Sequence, residues 1–564
     1  LFNIRIGGEA GQGMNTIGTL LAKSLLRMGY HVFTSKDYMS RIRGGHNFSD
    51  IRFGSKPLQS GTEKVDILLA LNKETWEIHK NSMTESGLLV YDPDDFSPEG
   101  DGPEKAGFPF LKKAEEIGDK RIAGVIALGL IHRIFDLSPD HLKKILSEKF
   151  SGEILEKNIK GLDLGYQEGE EKFSIKPNPD LKGTKLISGN DAIGFGALVA
   201  GVQFYSAYPM TPSTGVLNFL SAQGEKFKIL VEQAEDEIAA INMALGASYG
   251  GVRAMTGTSG GGFSLMVEGL GLSGITETPL VILNGQRPGP ATGLPTRTEQ
   301  GDLEFVIHAS QGEFPRIVLA PRDVFNAFSQ TVRAFNLAEK YQLPVIILSD
   351  QFLGDSEQTI SDFKPEDFKI DRGKLLKDYK EEKPYLRYRY TEDGISPRLI
   401  PGAKNQVVLV DSDEHNEAGN IIEDAETRTK MVEKRMKRME KITEEMEPPL
   451  YKGPKPEKVE LILVSWGSNF GPVEEARIGL EEEGIKVGHY SFVDIWPLPR
   501  GDWEKTLKEK EWALIENNFS GQLGSLLQKR EIGYPEFFLK KYDGRPFTGD
   551  EIKRRIKEEV ANRG

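Results

Sequence analysis

Tyr208-Pro209-Met210-Thr211-Pro212-Ser213-Thr214 lies between an apolar segment and a helix-like run over 215–223. Each proline fixes its own φ and pushes the residue before it toward extended geometry, so Met210-Thr211 is stiffened from both sides. A plain turn needs one proline or glycine; this one leaves a hydroxyl between two rigid points. On its own the stretch reads as the start of a helix, with Ser213 or Thr214 as N-cap. Its surroundings give it a second meaning. Strands are expected at 227–232, 252–255, 279–283, 316–319 and 345–348, with helices between them, the pattern of a doubly wound parallel sheet. Ligands in such sheets collect at the carboxyl ends of the strands, and every unusual loop of this segment falls there.

Three further loops share that edge. Glu232-Gln233-Ala234-Glu235-Asp236-Glu237 opens a helix whose body, 238–246, is packed with Ala, Met and Gly. The helix dipole accounts for acidic residues in a first turn. It does not account for the small residues behind them, which let another element approach closely. Thr256-Gly257-Thr258-Ser259-Gly260-Gly261-Gly262 leads into a helix over 263–272 and lacks the lysine of a P-loop, which argues against a nucleoside triphosphate. The fourth loop runs from Asn284 to Thr296. Arg287 stands there at a strand end, beside hydroxyls and glycines, as a carboxylate pocket requires; an ordinary surface turn is the plainer reading of Arg-Pro.

At 564 residues the chain exceeds one ordinary core, and roughly three or four domains are expected. A formal charge of −13 argues against non-specific binding to nucleic acid or anionic membranes. The longest apolar run, 122–131, is half of the roughly 20 residues that span a bilayer. Residues 1–6 already read as a strand rather than a signal peptide, so a cytoplasmic location is expected. The chain has no cysteine, which excludes disulfides, thiolate zinc and iron–sulfur clusters ligated by it, and its eight histidines show no metal spacing. No metal ligand is therefore assigned to this chain.

The opening strand runs into Gly7-Gly8-Glu9-Ala10-Gly11-Gln12-Gly13 and a helix over 14–28 stopped by Gly29, the start of a βαβ unit. Its third glycine comes too late for the dinucleotide fingerprint. The turn suits an anion at a helix N-terminus, or glycine used for sterics alone. In Tyr38-Met39-Ser40-Arg41-Ile42-Arg43-Gly44-Gly45-His46 two arginines approach a glycine pair, suited to an anionic ligand or simply solvated. Strands at 65–71 and 87–91 and helices at 122–135 and 139–150 make this an α/β domain, followed by an expected linker over 161–183. Beyond 372 the chain is charged and broken by Gly and Pro. Residues 385–390 and 394–398 suggest an arm that covers the site or docks on a partner, and 417–446 an amphipathic helix at best moderately buried. Segments 459–465, 472–480, 486–491, 512–516 and 523–530 read as strands and helices of a compact α/β domain.

Taken together these residues resemble the 2-oxoacid:ferredoxin oxidoreductases, in particular a fused γ–α chain, and most nearly the 2-oxoglutarate:ferredoxin oxidoreductase subunit α. The features that carry the resemblance are YPMTPST at Tyr208, EDEIAAINMALGASYGG from Glu235, TGTSGGG at Thr256 and GQRPGPATGLPT at Gly285, with GGEAGQG and RIRGG near the start. The resemblance implies a γ-type α/β domain over 1–175 and a thiamine diphosphate pyrimidine-binding domain over 186–370. A charged connection over 371–455 and a transketolase C-terminal-like domain over 456–564 would follow. It implies CoA-dependent oxidative decarboxylation of a 2-oxoacid, first 2-oxoglutarate to succinyl-CoA and otherwise pyruvate, a branched-chain or an aryl 2-oxoacid, reversible as reductive carboxylation, with electrons passed to ferredoxin; a non-catalytic ligand-binding or assembly subunit is the rival reading. A β subunit would hold the diphosphate, Mg²⁺ and a 4Fe–4S cluster in an (αβ)₂ assembly. Glu237 would face N1′ of the pyrimidine, with Glu235 the runner-up, and Tyr208 and Pro209 would line the cofactor. Thr211, Arg287 and Thr296 would bind substrate, joined by Arg43 from the γ-type domain. A second substrate carboxylate would need a second cation, for which Arg43, Arg297 and Lys36 are candidates.

Overall fold

A computed structural model describes residues 1–9, 11–40, 45–99, 102–178, 180–181, 184–361, 363–380 and 383–561. The contacts divide the chain into two units. The first is Leu1–Ile187 with Ser356–Asp362 and Thr548–Glu551; the second is Ser188–Asp355 with Phe363–Phe547 and Ile552–Gly564.

In the first unit a mixed sheet runs in the order Glu104–Gly107, Met83–Tyr91, Val65–Ala70, Phe2–Glu9, His46–Gly54, His31–Asp37, Glu357–Ile360, Lys185–Ser188. The helix Met14–Arg27 buries Ile17, Leu20, Leu21 and Leu25, the helical spacing of one apolar stripe, and Gly29 at φ 93° turns the chain away. The expected linker at 161–183 is corrected in its first part: the helix Gly152–Glu168 runs through it. Its glycines serve contact rather than flexibility. A Cβ on Gly165 would stand 1.9 Å from the Ile126 carbonyl oxygen, so only bare backbone lets this helix lie against Ala123–Ile134.

One face of this sheet carries a buried polar chain. Arg5 donates to both oxygens of Asp50 at 2.7 and 2.6 Å and to His79 Nδ1 at 3.1 Å, while His79 Nε2 meets His46 Nε2 at 2.8 Å. Arginine can only donate, so His79 carries its proton on Nε2 and hands it toward His46. Burial, with the Arg5 charge adding to it, pushes the His79 imidazole down to about 3, so the ring is neutral.

The second unit is built on a seven-stranded sheet in the order Asp494–Trp496, Ile317–Leu319, Pro344–Asp350, Leu280–Gln286, Ala254–Thr258, Phe204–Ala207, Leu230–Gln233. All but the first are parallel to their neighbours. Two strands run further than their apolar cores suggest. Thr256-Gly257-Thr258 and Asn284-Gly285-Gln286, expected as loops, continue the ladder, because the sheet is covered on both faces and pairing is the only way to satisfy their backbone. A second, five-stranded sheet has the order Leu450–Lys452, Val487–Phe492, Leu461–Trp466, Trp512–Glu516, Phe537–Lys540. One apolar core joins the two sheets, with Ile282, Val318 and Ile346 on one side and Val464, Trp466 and Phe492 on the other.

The charged stretch after Arg372 docks on its own chain. Leu375–Leu376 and Arg398–Leu399 pair, Tyr385 and Tyr388 are buried, and the buried Arg387 donates to the carbonyls of Thr276 and Glu277. Those residues precede a strand, so the arm lies at the amino edge of the seven-stranded sheet and does not cover its carboxyl edge. The amphipathic helix forms as Ala425–Glu445, but it is more buried than its charge pattern suggests: Lys434, Arg435 and Arg438 lie inside with Met431 and Ile442. Each of these cations has an acceptor within the second unit. Among the described residues no helix is long and apolar enough to cross a membrane.

Candidate functional site

All four special loops stand at the carboxyl edge of the seven-stranded sheet. The turn Tyr208–Thr214 leaves the strand Phe204–Ala207 and enters the helix Thr214–Phe227. Ser213 occupies the N-cap position but does not cap. Its backbone is helical at φ −76°, ψ −12°, and its hydroxyl donates back to the Met210 carbonyl at 2.8 Å. Asn190 Nδ2 donates to the Pro212 carbonyl at 2.9 Å, and Gly285, whose Cβ would meet Pro212 Cγ at 3.0 Å, gives the proline its seat. The Thr211–Pro212 peptide is cis.

Glu237 and Glu235 receive different environments from one helix start. Asp236 is the N-cap, extended in backbone and accepting the Ala239 N–H at 2.7 Å. Glu235 therefore lies outside the helix and is exposed, whereas Glu237 begins the first turn and is 3% exposed. With capping done by its neighbour, the Glu237 carboxylate turns inward, where Thr258 Oγ1 donates to Oε1 at a long 3.4 Å. Gly262 lies against it: a Cβ there would stand 2.3 Å from Glu237 Oε1 and 2.0 Å from Thr258 Oγ1. The glycine-rich loop thus leaves room for a carboxylate that a side chain would displace.

Arg287 follows the strand Leu280–Gln286 directly, and its Nη1 donates to the Thr211 carbonyl at 2.7 Å. Its Nε is buried without an acceptor. Met210 reaches across to Ser259 Oγ at 2.9 Å and Thr258 Oγ1 at 3.8 Å. A continuous path therefore links Arg287, Thr211, Met210, Thr258 and Glu237.

Two acidic residues beyond the sequence expectations, Asp302 and Glu299, stand in this region. Asn284 Nδ2 donates to Asp302 Oδ2 at 3.2 Å, and Asp302 N donates to Gln286 Oε1 at 3.1 Å. Burial pushes the Asp302 carboxyl up to about 6 against the pull of Asn284 and Arg287. Burial and then the Asp302 charge push Glu299 up to about 7. Burial also lowers the Arg287 guanidinium, with Asp302 opposing. The signal for Asp302 in the sequence is its place just before an apolar run, 303–307; nothing local shows that it folds back on Asn284.

The other expected residues scatter. Tyr208 is 41% exposed, Pro209 is partly buried, and Thr296 is buried on the loop after Arg287. Arg297 is partly buried, with its Cβ 3.2 Å from where a Cβ on Gly544 would stand. Lys36 belongs to the first unit, in the strand His31–Asp37, and Arg43 lies outside the described residues.

Comparison with known proteins supplies a second line of findings. Residues 195–434 match the family model described as pyruvate flavodoxin/ferredoxin oxidoreductase, thiamine diP-binding, and residues 3–168 match that of pyruvate ferredoxin/flavodoxin oxidoreductase. A 2-oxoacid:ferredoxin oxidoreductase subunit alpha of a Sulfolobus species is 33% identical over 97% of this chain and 95% of its own length. The 2-oxoglutarate oxidoreductase subunit KorA of Mycobacterium tuberculosis is 28% identical over 99% of this chain and 92% of its own. Among solved structures, the 2-oxoglutarate:ferredoxin oxidoreductase of Magnetococcus marinus, with 2-oxoglutarate, coenzyme A and succinyl-CoA bound, superposes with a TM-score of 0.93 at 35% identity, covering 99% of each chain.

Proposed function

This chain belongs to the 2-oxoacid:ferredoxin oxidoreductases, as an enzyme alpha subunit with a thiamine diphosphate-binding domain, and we propose that its 2-oxoacid is 2-oxoglutarate, converted with coenzyme A to succinyl-CoA while electrons pass to ferredoxin. The observation that supports this choice is the full-length likeness, TM-score 0.93 and 35% identity, to an enzyme solved with that substrate and product. The generic 2-oxoacid description of the Sulfolobus relative favours a second reading, a wider specificity that includes pyruvate.

Thiamine diphosphate, when bound, supplies the carbanion chemistry by which a 2-oxoacid loses carbon dioxide. Glu237 fits its pyrimidine end: a buried carboxylate with one long bond from Thr258, facing bare backbone at Gly262. It would hold and return a proton at N1′, with Tyr208 and Pro209 beside the ring; Glu235, being exposed, is the poorer candidate. Arg287 would pair with the substrate carboxylate through the part of its guanidinium not given to Thr211, its buried Nε lacking an acceptor. Thr211, fixed by that same bond, would offer its hydroxyl to the substrate, with Thr296 further along the loop. Arg43, Arg297 and Lys36 stand as candidates for the second carboxylate.

Because this chain has no cysteine, the iron–sulfur cluster, and with it Mg²⁺ and the diphosphate end, belongs in the proposal to a β subunit in an (αβ)₂ enzyme of the cytoplasm. The test is to co-express the chain with that subunit and measure CoA-dependent viologen reduction across 2-oxoacids. The expected result is the highest kcat/KM for 2-oxoglutarate. A value for pyruvate as high or higher overturns the substrate assignment.

A further inference from the structure

The loop that carries Arg287 and Thr296 closes on itself. Asp302 N donates to Gln286 Oε1 at 3.1 Å, and Gln286 Nε2 donates to the Ser349 carbonyl at 3.1 Å, so the loop returns to the strand it left. Just before this closure stands Gln300, fully buried. Each of its hydrogen bonds goes to the C-terminal α/β region. Its Nε2 donates to the Trp466 carbonyl at 2.9 Å, and its Oε1 accepts from Asn469 Nδ2 at 2.7 Å and Asn517 N at 3.1 Å. Its backbone N donates to the Asn517 carbonyl at 2.7 Å, and its carbonyl accepts from Asn518 Nδ2 at 3.1 Å. The orientation of the amide is forced, since a carbonyl cannot donate and a backbone N–H cannot accept.

The neighbouring residues repeat the attachment. Gly301 O accepts from Gln522 Nε2 at 2.8 Å, and Thr298 N donates to the Gly544 carbonyl at 3.3 Å. Gly544 lies at φ 79°, and the Cβ it lacks would crowd Leu294 and Arg297 at 3.1 and 3.2 Å. Trp466 ends one parallel strand of the five-stranded sheet, and Asn517 follows the end of the next. That carboxyl edge is where open parallel sheets ordinarily hold ligands. Here it holds the loop.

We infer that Gln300 is a positioning residue, through which the C-terminal α/β region sets the placement of the Arg287–Thr296 loop over the substrate site. The inference rests on the reading that Arg287 pairs with the substrate carboxylate. A region that resembles a purely structural module would thereby govern substrate affinity. Gln300→Ala removes three side-chain bonds and leaves the Trp466 carbonyl and the Asn517 N–H buried without partners, so the loop relaxes from its anchor.

The test uses the holoenzyme assembled with its β subunit, with KM and kcat for the 2-oxoacid and the dissociation constant of thiamine diphosphate measured in Gln300→Ala, Arg287→Ala and the double variant. The expected result for Gln300→Ala is a KM raised about tenfold or more with thiamine diphosphate affinity within about twofold of wild type, since a small misplacement of a positioning group costs up to about a hundredfold. The double variant should be little worse than Arg287→Ala alone, because both changes act through one guanidinium. An unchanged KM in assembled Gln300→Ala, or fully additive effects, overturns the inference while leaving Arg287's role intact. If Arg287→Ala itself leaves KM unchanged, the substrate reading fails and this inference with it. Should Gln300→Ala not assemble, Asn469→Ala removes one of the same bonds from the other side, and an unchanged KM there overturns the inference equally.

Discussion

At the amino edge of the seven-stranded sheet the fully buried Glu277 accepts both its bonds from Lys434 Nζ, at 2.7 and 2.9 Å, with Arg438 Nη1 at 3.6 Å, whereas at the carboxyl edge Asp302 faces one amide and Glu299 faces Asp302. Burial pushes all three carboxyls up. At Glu277 the charges of Lys434, Arg438 and Arg387 outweigh it and hold the group well below the usual carboxylate range. At Asp302 and Glu299 burial wins, to about 6 and about 7. Glu339 is likewise met by cations, with Arg253 at 2.9 Å and Arg398 at 3.0 Å. The amino edge matches its charges, while the edge proposed to bind substrate leaves donors and acceptors open.

The contrast breaks most sharply at Glu237. Replacing it with Gln should slow exchange of the cofactor's C2 proton by about 10²–10⁴-fold, the usual worth of a positioned acid–base group, with no loss in melting temperature. Exchange at wild-type rate in Glu237→Gln, or loss of exchange in Glu235→Gln alone, would move the function to the other glutamate. The opposite outcome is expected at the amino edge. Lys434→Ala should lower unfolding free energy by about 3–5 kcal/mol by stranding Glu277, while kcat per folded enzyme stays at the wild-type level. If chemical denaturation shows no loss, the matched edge is not what steadies the sheet.

Gly262→Ala sharpens the comparison at one atom. The added Cβ meets Thr258 and Glu237 at 2.0 and 2.3 Å, so about 1–3 kcal/mol of stability and most of the activity should go together. Activity kept at wild-type level would show that the Glu237 carboxylate need not stand where it does.

The smallest effect is in pH. A carboxyl with a raised folded pKa binds its proton more readily when folded, so its contribution is present in acid and is lost as pH climbs through about 6 for Asp302 and about 7 for Glu299. The double variant Asp302→Asn, Glu299→Gln should therefore lose less melting temperature than wild type between pH 5 and pH 8. Equal losses would mean that neither carboxyl is shifted.

Much of the fold and of the site is legible in the amino-acid sequence. Thr211, Glu237 and Arg287 sit on loops rich in glycine and proline, and they fall at strand ends that the apolar periodicity locates. The choice between Glu235 and Glu237 is harder, because composition makes them equal; the difference lies in Asp236, whose capping bond turns one out and the other in. Gln300 leaves no local trace and Asp302 only its place before an apolar run, since their partners at Trp466, Asn517 and Asn284 are distant in sequence. The burial of Ala425–Glu445 leaves no trace either, for a charge pattern that looks solvated is answered by Glu277 and by the Tyr341 and Gln342 carbonyls at the end of the helix Val324–Tyr341.

One strand has a practical meaning for anyone who would shorten this protein. Asp494–Trp496 comes from the C-terminal stretch of the chain yet lies antiparallel beside Ile317–Leu319 as the outermost member of the central sheet. A truncation at the apparent boundary near 456 would strip that neighbour away and leave a raw, apolar backbone edge, an invitation to intermolecular pairing. Such a fragment would aggregate rather than behave as a smaller subunit. The places where this chain can be cut are set by its sheet edges and not by its sequence blocks.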